Sequence, residues 1–260
     1  MKRYFLRRCG WWFLASVLLT TCMPGWADAP AERAARLAAH YNLDKPEGNG
    51  PFPAVMLVPA CNGFNPRLMK EGRYKNATRR LKELGFAVIR VDYLAAGEVN
   101  ACDSIIYPAE LADDIVTVTK YLRAQSFVKP DAINVLAWSY GGGAAFNALT
   151  KTESREPAQV AAVVAYYPYL ALARPWSVDV PALVFCGDED TVAPCARFES
   201  LLDEVPTRAR VKVVKYPESY HVFDNSELPT KVTSVSGSTI GYNEKSATAA
   251  WAEVEKFLRR

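Results

Sequence analysis

A serine placed at the end of an apolar run and followed at once by glycines stands where a chain can do covalent chemistry. In "AINVLAWSYGGG" Ser139 ends such a run, with Ala137 two residues before it and Gly141 two after. If the run is a strand and the glycines open a helix, the serine sits on a sharp turn that leaves no room for large side chains at those two positions. A serine that merely caps a helix looks the same locally, so its partners decide the matter. A nucleophilic serine needs a base. The chain has 2 histidines, His40 and His221. His40 precedes the apolar core of the sequence, whereas His221, in "YPESYHVFDN", follows the apolar run "VKVVKY". A base of this kind needs a carboxylate to orient it. "ALVFCGDEDTVAP" supplies Asp188, Glu189 and Asp190 directly after another apolar run. Three positions, each just past a strand-like run, thus carry the residue types of nucleophilic acyl transfer in the order serine, acid, histidine.

The elements that must position them alternate. Strand-like runs are predicted at 54–58, 86–91, 132–138, 160–167, 182–186 and 211–216. Helix-like periodicity is predicted over 68–84, over 108–124, after Ser139, and over 244–259. Strands this apolar, separated by helices, form a mostly parallel sheet covered on both faces, a doubly wound α/β domain. In such sheets the chemistry gathers beyond the carboxyl ends of the strands, which is where all three candidates fall. Residues 28–50, Ala-rich and then turn-rich, read as a short helix or an irregular lead-in, with the core after them.

Residues 1–27 read as a cleavable export signal rather than as part of the fold. Lys2, Arg3, Arg7 and Arg8 precede an apolar run from Trp11 to about Cys22, and Gly25 and Ala27 supply the small residues of a cleavage site. The run is shorter than the roughly 18 to 20 residues that span a bilayer, so no transmembrane anchor is expected after processing. Lipid attachment at Cys22, within "LTTC", is the alternative. The 31 Lys and Arg include those four leader residues, so the remainder balances the 28 Asp and Glu to within one charge. Nothing in that balance calls for nucleic acid or an anionic membrane as partner. A single catalytic domain is expected over 28–260. It keeps Cys61, Cys102, Cys186 and Cys195, an even set that an oxidising compartment would turn into two disulfides. No spacing among them suits a metal.

Taken together, the motifs resemble the dienelactone hydrolase family of α/β-hydrolases. "KPEGNGPFPAVMLVPACNGFNP" resembles its first core strand and oxyanion loop, "LAWSYGGG" its nucleophile elbow, and "VPALVFCGDEDTVAPC" its acid loop. "YHVFDN" resembles its histidine loop, and "YNEKSATAAWAEVEKFL" its closing helix. The resemblance runs over roughly 45–259 and implies the α/β-hydrolase fold. It also implies a Ser139, Asp190, His221 triad, because the family's GxxD pattern falls on Gly187 and Asp190, with Asp188 as the fallback acid. There are departures. Ala137 replaces the first glycine of the usual elbow, Ser139 stands where the namesake enzymes carry cysteine, and "PACNGFNP" lacks their oxyanion-loop glutamate. These point to a plain serine hydrolase of small esters or lactones, working without cofactor or metal.

In that reading the oxyanion would be held by the backbone N–H groups of Tyr140 and Cys61. Asn62, Trp138 and Phe223 are the candidate substrate-binding residues. The expected disulfides are Cys61 with Cys102 and Cys186 with Cys195, each joining loops at the catalytic edge. The rival readings are a small peptidase or amidase of the same fold and a non-catalytic exported binding protein on a hydrolase scaffold. The physiological substrate and the oligomeric state are not encoded in any motif.

Overall fold

A computed structural model describes residues 30–64, 72–97, 108–170, 175–176, 178–205, 210–234 and 236–259. The chain runs α1 (Pro30–Ala38), β1 (Tyr41–Asp44), β2 (Phe52–Val58), α2 (Gly72–Glu83), β3 (Ala87–Val91), α3 (Tyr93–Ala96), α4 (Pro108–Arg123), β4 (Val128–Trp138) and α5 (Tyr140–Ala148). It continues with β5 (Ala162–Tyr166), β6 (Ala182–Gly187), α6 (Cys195–Asp203), β7 (Val211–Tyr216), β8 (Val232–Thr233), β9 (Thr239–Ile240) and α7 (Glu244–Leu258). The leader, Cys22 and Cys102 lie outside the described residues. No described helix is long and apolar enough to cross a membrane.

β1 to β7 form one sheet in the order β1-β3-β2-β4-β5-β6-β7, parallel except for β1, which runs antiparallel to β3. The strands are apolar because both faces are covered. Successive strand residues point to opposite sides. Ala54, Met56 and Val58 therefore face α1, α4, α5 and α6, whereas Val55 and Leu57 face α2 and α7. The alternation repeats in β4, where Ala137 packs on the first face and Trp138 on the second. After β2 the chain turns outward to β3, and after β4 it turns the other way to β5. The order of the strands thus reverses between β2 and β4, and in open α/β sheets ligands bind beyond the carboxyl ends of the strands at such a reversal.

The lead-in differs from expectation, because it contributes an edge strand as well as a helix. β1 pairs Tyr41 with Val91 and Asp44 with Val88. Its four residues, "YNLD", are too few and too polar to stand out as a strand, and they belong in the sheet because α1 before them is pinned. Arg33, which is buried, lies 2.7 Å from Asp114 and 3.7 Å from Asp113 of α4. β4 is also longer than the apolar run "AINVLAW". Val128–Asp131 extend it at its mostly exposed start, where the pairing with β2 shifts register beside Pro130.

Candidate active site

Ser139 occupies the single-residue turn between β4 and α5 with φ 48 and ψ −115. Positive φ in a residue with a side chain is strained, at a cost on the order of 1–3 kcal/mol, so the surroundings must impose it. They do so through the backbone. Ser139 N–H donates to the Tyr166 carbonyl at 2.9 Å, while its own carbonyl accepts from Tyr169 at 2.8 Å and Gly143 at 3.2 Å. Gly141 is required by the same geometry, since a Cβ there would stand 2.3 Å from the Pro59 carbonyl oxygen and 2.6 Å from that of Val58. The elbow therefore abuts the end of β2. The hydroxyl does not cap α5. Ser139 Oγ instead lies 2.9 Å from His221 Nε2.

His221 follows β7, in a loop that β9 holds in place. Its carbonyl accepts from Gly241 N–H at 3.2 Å, and it forms an isolated bridge with Ile240. Its imidazole packs on the Tyr167 ring, centroids 4.6 Å apart, and its Nδ1 lies 2.7 Å from Asp190 Oδ2. The Asp190 side chain is wholly buried, and its other oxygen accepts two backbone N–H groups, Val192 and Ala193, each at 2.8 Å. A buried carboxylate with three donors is solvated by the protein and fixed in orientation. Asp188 and Glu189 are exposed, and it is Asp190 that His221 Nδ1 meets. The acid and histidine loops meet where Glu189 N–H donates to the Ser219 carbonyl. A Cβ on Gly187 would lie 2.1 Å from that same carbonyl, so the close approach needs glycine there. A disulfide between Cys186 and Cys195, 9 positions apart, closes the loop that holds Asp190.

Ser139, His221 and Asp190 are thus brought together. Tyr140 opens α5, where the first N–H groups of a helix have no intrahelical acceptor. Burial, and then the charge of Glu110, push its phenol up to about 12. Cys61 opens the turn that follows β2, beside the elbow, and is disulfide-bonded. Its expected partner, Cys102, lies outside the described residues. Asn62 is half-buried, with its Oδ1 enclosed and without a hydrogen-bond partner.

The other two substrate-binding candidates require correction. Trp138 is 1% and Phe223 0% exposed, and both belong to the aromatic core beneath α2 and α7. Trp138 stacks on Tyr166 and meets Tyr74 edge-on, and Phe223 packs against Tyr166, Tyr167 and Tyr216. Phe223 lines none of the cavities found among the described residues, and what Trp138 borders is a cavity between α2 and α7.

A polar cluster behind the histidine was not anticipated. Asp224, three residues beyond His221, accepts Trp138 Nε1–H at 2.7 Å and the Tyr167 hydroxyl, and lies 3.6 Å from the Arg73 guanidinium. Arg73 donates to Tyr167 at 2.9 Å and to Tyr74 at 2.8 Å, and Tyr74 in turn accepts the Ala60 N–H at 3.1 Å. Burial opposes the charge on Arg73, but Tyr167, Tyr74 and Asp224 more than offset it, so the guanidinium is held charged. The sequence signal was faint. Arg73 lies in the charge-rich "GRYKNATRRLKE", which reads as a solvated helix.

A family model described as "Dienelactone hydrolase family" matches residues 41–260. Among solved structures, a dienelactone hydrolase-like promiscuous phosphotriesterase, P91, from metagenomic libraries superposes with a TM-score of 0.64. It is 17% identical and covers 85% of this chain and 98% of its own. Thermogutta terrifontis esterase 2, in a form phosphorylated by paraoxon, superposes with a TM-score of 0.61 at 14% identity, over 84% of this chain and 87% of its own. At these identities the likeness concerns the fold. An Escherichia coli protein, described as the uncharacterized 31.7 kDa protein in the traX-finO intergenic region, is 31% identical over 109 residues, 42% of this chain. The match spans only 36% of that protein's length.

Proposed function

The chain belongs to the dienelactone hydrolase family, hydrolases of the α/β-hydrolase fold, and from that premise we propose that it cleaves small carboxylic esters or lactones through a Ser139–His221–Asp190 triad. The observation that carries the reading is the unbroken chain of bonds from Ser139 Oγ to His221 Nε2, 2.9 Å, and from His221 Nδ1 to Asp190, 2.7 Å. Asp190 holds the imidazole in the tautomer whose Nε2 accepts a proton. Ser139 Oγ attacks the ester carbonyl as its proton passes to Nε2, giving a tetrahedral oxyanion opposite the N–H groups of Tyr140 and Cys61. Collapse expels the alcohol, which takes the proton from His221, and leaves an acyl-serine. Water, deprotonated by the same Nε2, attacks that ester. The acid leaves and Ser139 recovers its proton.

The expected partner is a small-molecule ester. Esterase and phosphotriesterase activities among proteins of this fold suit a serine nucleophile of this kind. Export is part of the proposal, supported by the basic and apolar leader and by the Cys186–Cys195 disulfide, which an oxidising compartment preserves. The test is a panel of aryl esters, lactones and aminoacyl amides offered to the wild type and to Ser139→Ala. Ester or lactone turnover that disappears in Ser139→Ala supports the reading. Preferential amide turnover makes the protein a peptidase, and no turnover by the wild type makes it a binding protein.

A further inference from the structure

We infer that Asp224, acting with Arg73 and Tyr167, is a positioning residue that locks the histidine loop, the nucleophile elbow and the oxyanion turn into one register. The inference rests on the proposed triad and extends it to residues that never touch substrate.

The histidine loop, the nucleophile elbow and the oxyanion turn each reach this cluster. Asp224 shares the histidine loop, three residues from His221. It accepts Trp138 Nε1–H at 2.7 Å, and Trp138 is the residue directly before Ser139. It accepts the Tyr167 hydroxyl, and the Tyr167 ring is the surface on which the His221 imidazole rests. Through Arg73 and Tyr74 the same chain of bonds reaches the Ala60 N–H, next to Cys61 in the oxyanion turn. Arg73 is the only residue of α2 in this set that bears a charge, and it is 6% exposed, so its guanidinium and the Asp224 carboxylate neutralise each other inside the protein.

Burying such a pair is costly and is no general route to stability, since apolar residues of like volume serve as well. What the charged pair supplies is direction. A carboxylate that accepts from an indole and a phenol, facing a planar guanidinium that donates to two phenols, admits one mutual arrangement of four chain segments. An error of about 1 Å in the reacting geometry costs up to roughly a hundredfold in rate, so such an arrangement bears on turnover. On its far side the cluster borders a cavity of about 170 Å³ between α2 and α7, lined by Arg73, Asp224, Trp138, Tyr242 and Trp251 among others. Water from that side can hydrate groups orphaned by a substitution, which favours folding of the variants.

The experiment compares Asp224→Asn, Tyr167→Phe and the double variant with wild type on the best ester of the panel. Active sites are counted by exhaustive phosphonylation, and thermal midpoints are recorded beside the kinetics. Tyr167→Phe keeps the ring under His221 and removes only the hydroxyl, so it decides the matter even where Asp224→Asn fails to fold. Positioning predicts that kcat per titrated site falls about tenfold to a hundredfold in each single variant with KM nearly unchanged, and that the double variant is no worse than Asp224→Asn alone. A lowered thermal midpoint with unchanged kcat per titrated site would overturn the inference, as would simple multiplication of the two losses. Ser139→Ala runs in parallel. If it keeps turnover, the triad itself is wrong. If it is inactive while Tyr167→Phe is normal per site, only the positioning role fails.

Discussion

Replacing Asp190 by asparagine separates the chemistry of the acid from its structural duties. Val192 and Ala193 N–H both donate to Oδ1, so an asparagine must keep its carbonyl oxygen there and present its NH₂ group to His221 Nδ1. An N–H facing Nδ1 forces the ring proton onto Nε2, which then donates to Ser139 instead of accepting from it. Inverting the tautomer in this way costs roughly 10⁴-fold in kcat, about 5.5 kcal/mol of transition-state stabilisation. The fold loses much less. Both amide bonds survive with a neutral acceptor, so the cost is about 1–2 kcal/mol. Steady-state ester kinetics beside urea denaturation resolve the two effects, with Asp188→Asn as the control because Asp188 is exposed and makes no bond to His221. Asp190→Asn keeping more than about a tenth of wild-type kcat, or Asp188→Asn losing more than Asp190→Asn, would refute the assignment of the acid and the tautomer argument with it.

Gly141→Ala sets a Cβ 2.3 Å from the Pro59 carbonyl and should cost on the order of 3 kcal/mol together with most activity; an unchanged urea midpoint would contradict the tight elbow. The Cys186→Ser/Cys195→Ser pair should lose about 2.5 kcal/mol of stability, from loop-closure reasoning over 9 positions, while turnover measured well below unfolding persists because Asp190 keeps its amide donors. Collapse of turnover in that variant would show that the bridge, not the amides, holds the acid. Burial, foremost, raises the phenols of Tyr41, Tyr140 and Tyr216 to about 12, so the folded state holds their protons longer than the unfolded chain, where they leave near 10. Their contribution is whole below pH 10 and is lost as pH rises from 10 to 12, and a denaturant midpoint that does not fall over that interval would argue against the burial.

The sheet was legible because parallel strands covered on both faces are written as apolar runs, and β2, β5 and β6 coincide with such runs to within a few residues. Ser139, Asp190 and His221 were legible for a related reason, each standing just past a strand end. β1 was not, because a four-residue edge strand with one partner needs little apolar surface. Trp138 and Phe223 misled through proximity in sequence. Neighbours along a strand face opposite sides, so adjacency to Ser139 put Trp138 in the layer beneath α2 and α7 rather than at the substrate. The Asp224 cluster was hidden more deeply, since contacts between residues 73, 138, 167 and 224 leave no periodic trace, and a buried arginine looks like any surface charge in a basic helix.

The most direct test of the central claim is intact-mass and peptide mapping of the purified protein after a small aryl phosphonate, followed through loss of ester turnover. The account predicts one phosphonyl group per chain, located on Ser139, gained in step with the loss of activity and absent from Ser139→Ala. Activity that survives complete modification of Ser139, or inactivation whose label maps to Cys61 or to any other residue, would contradict it.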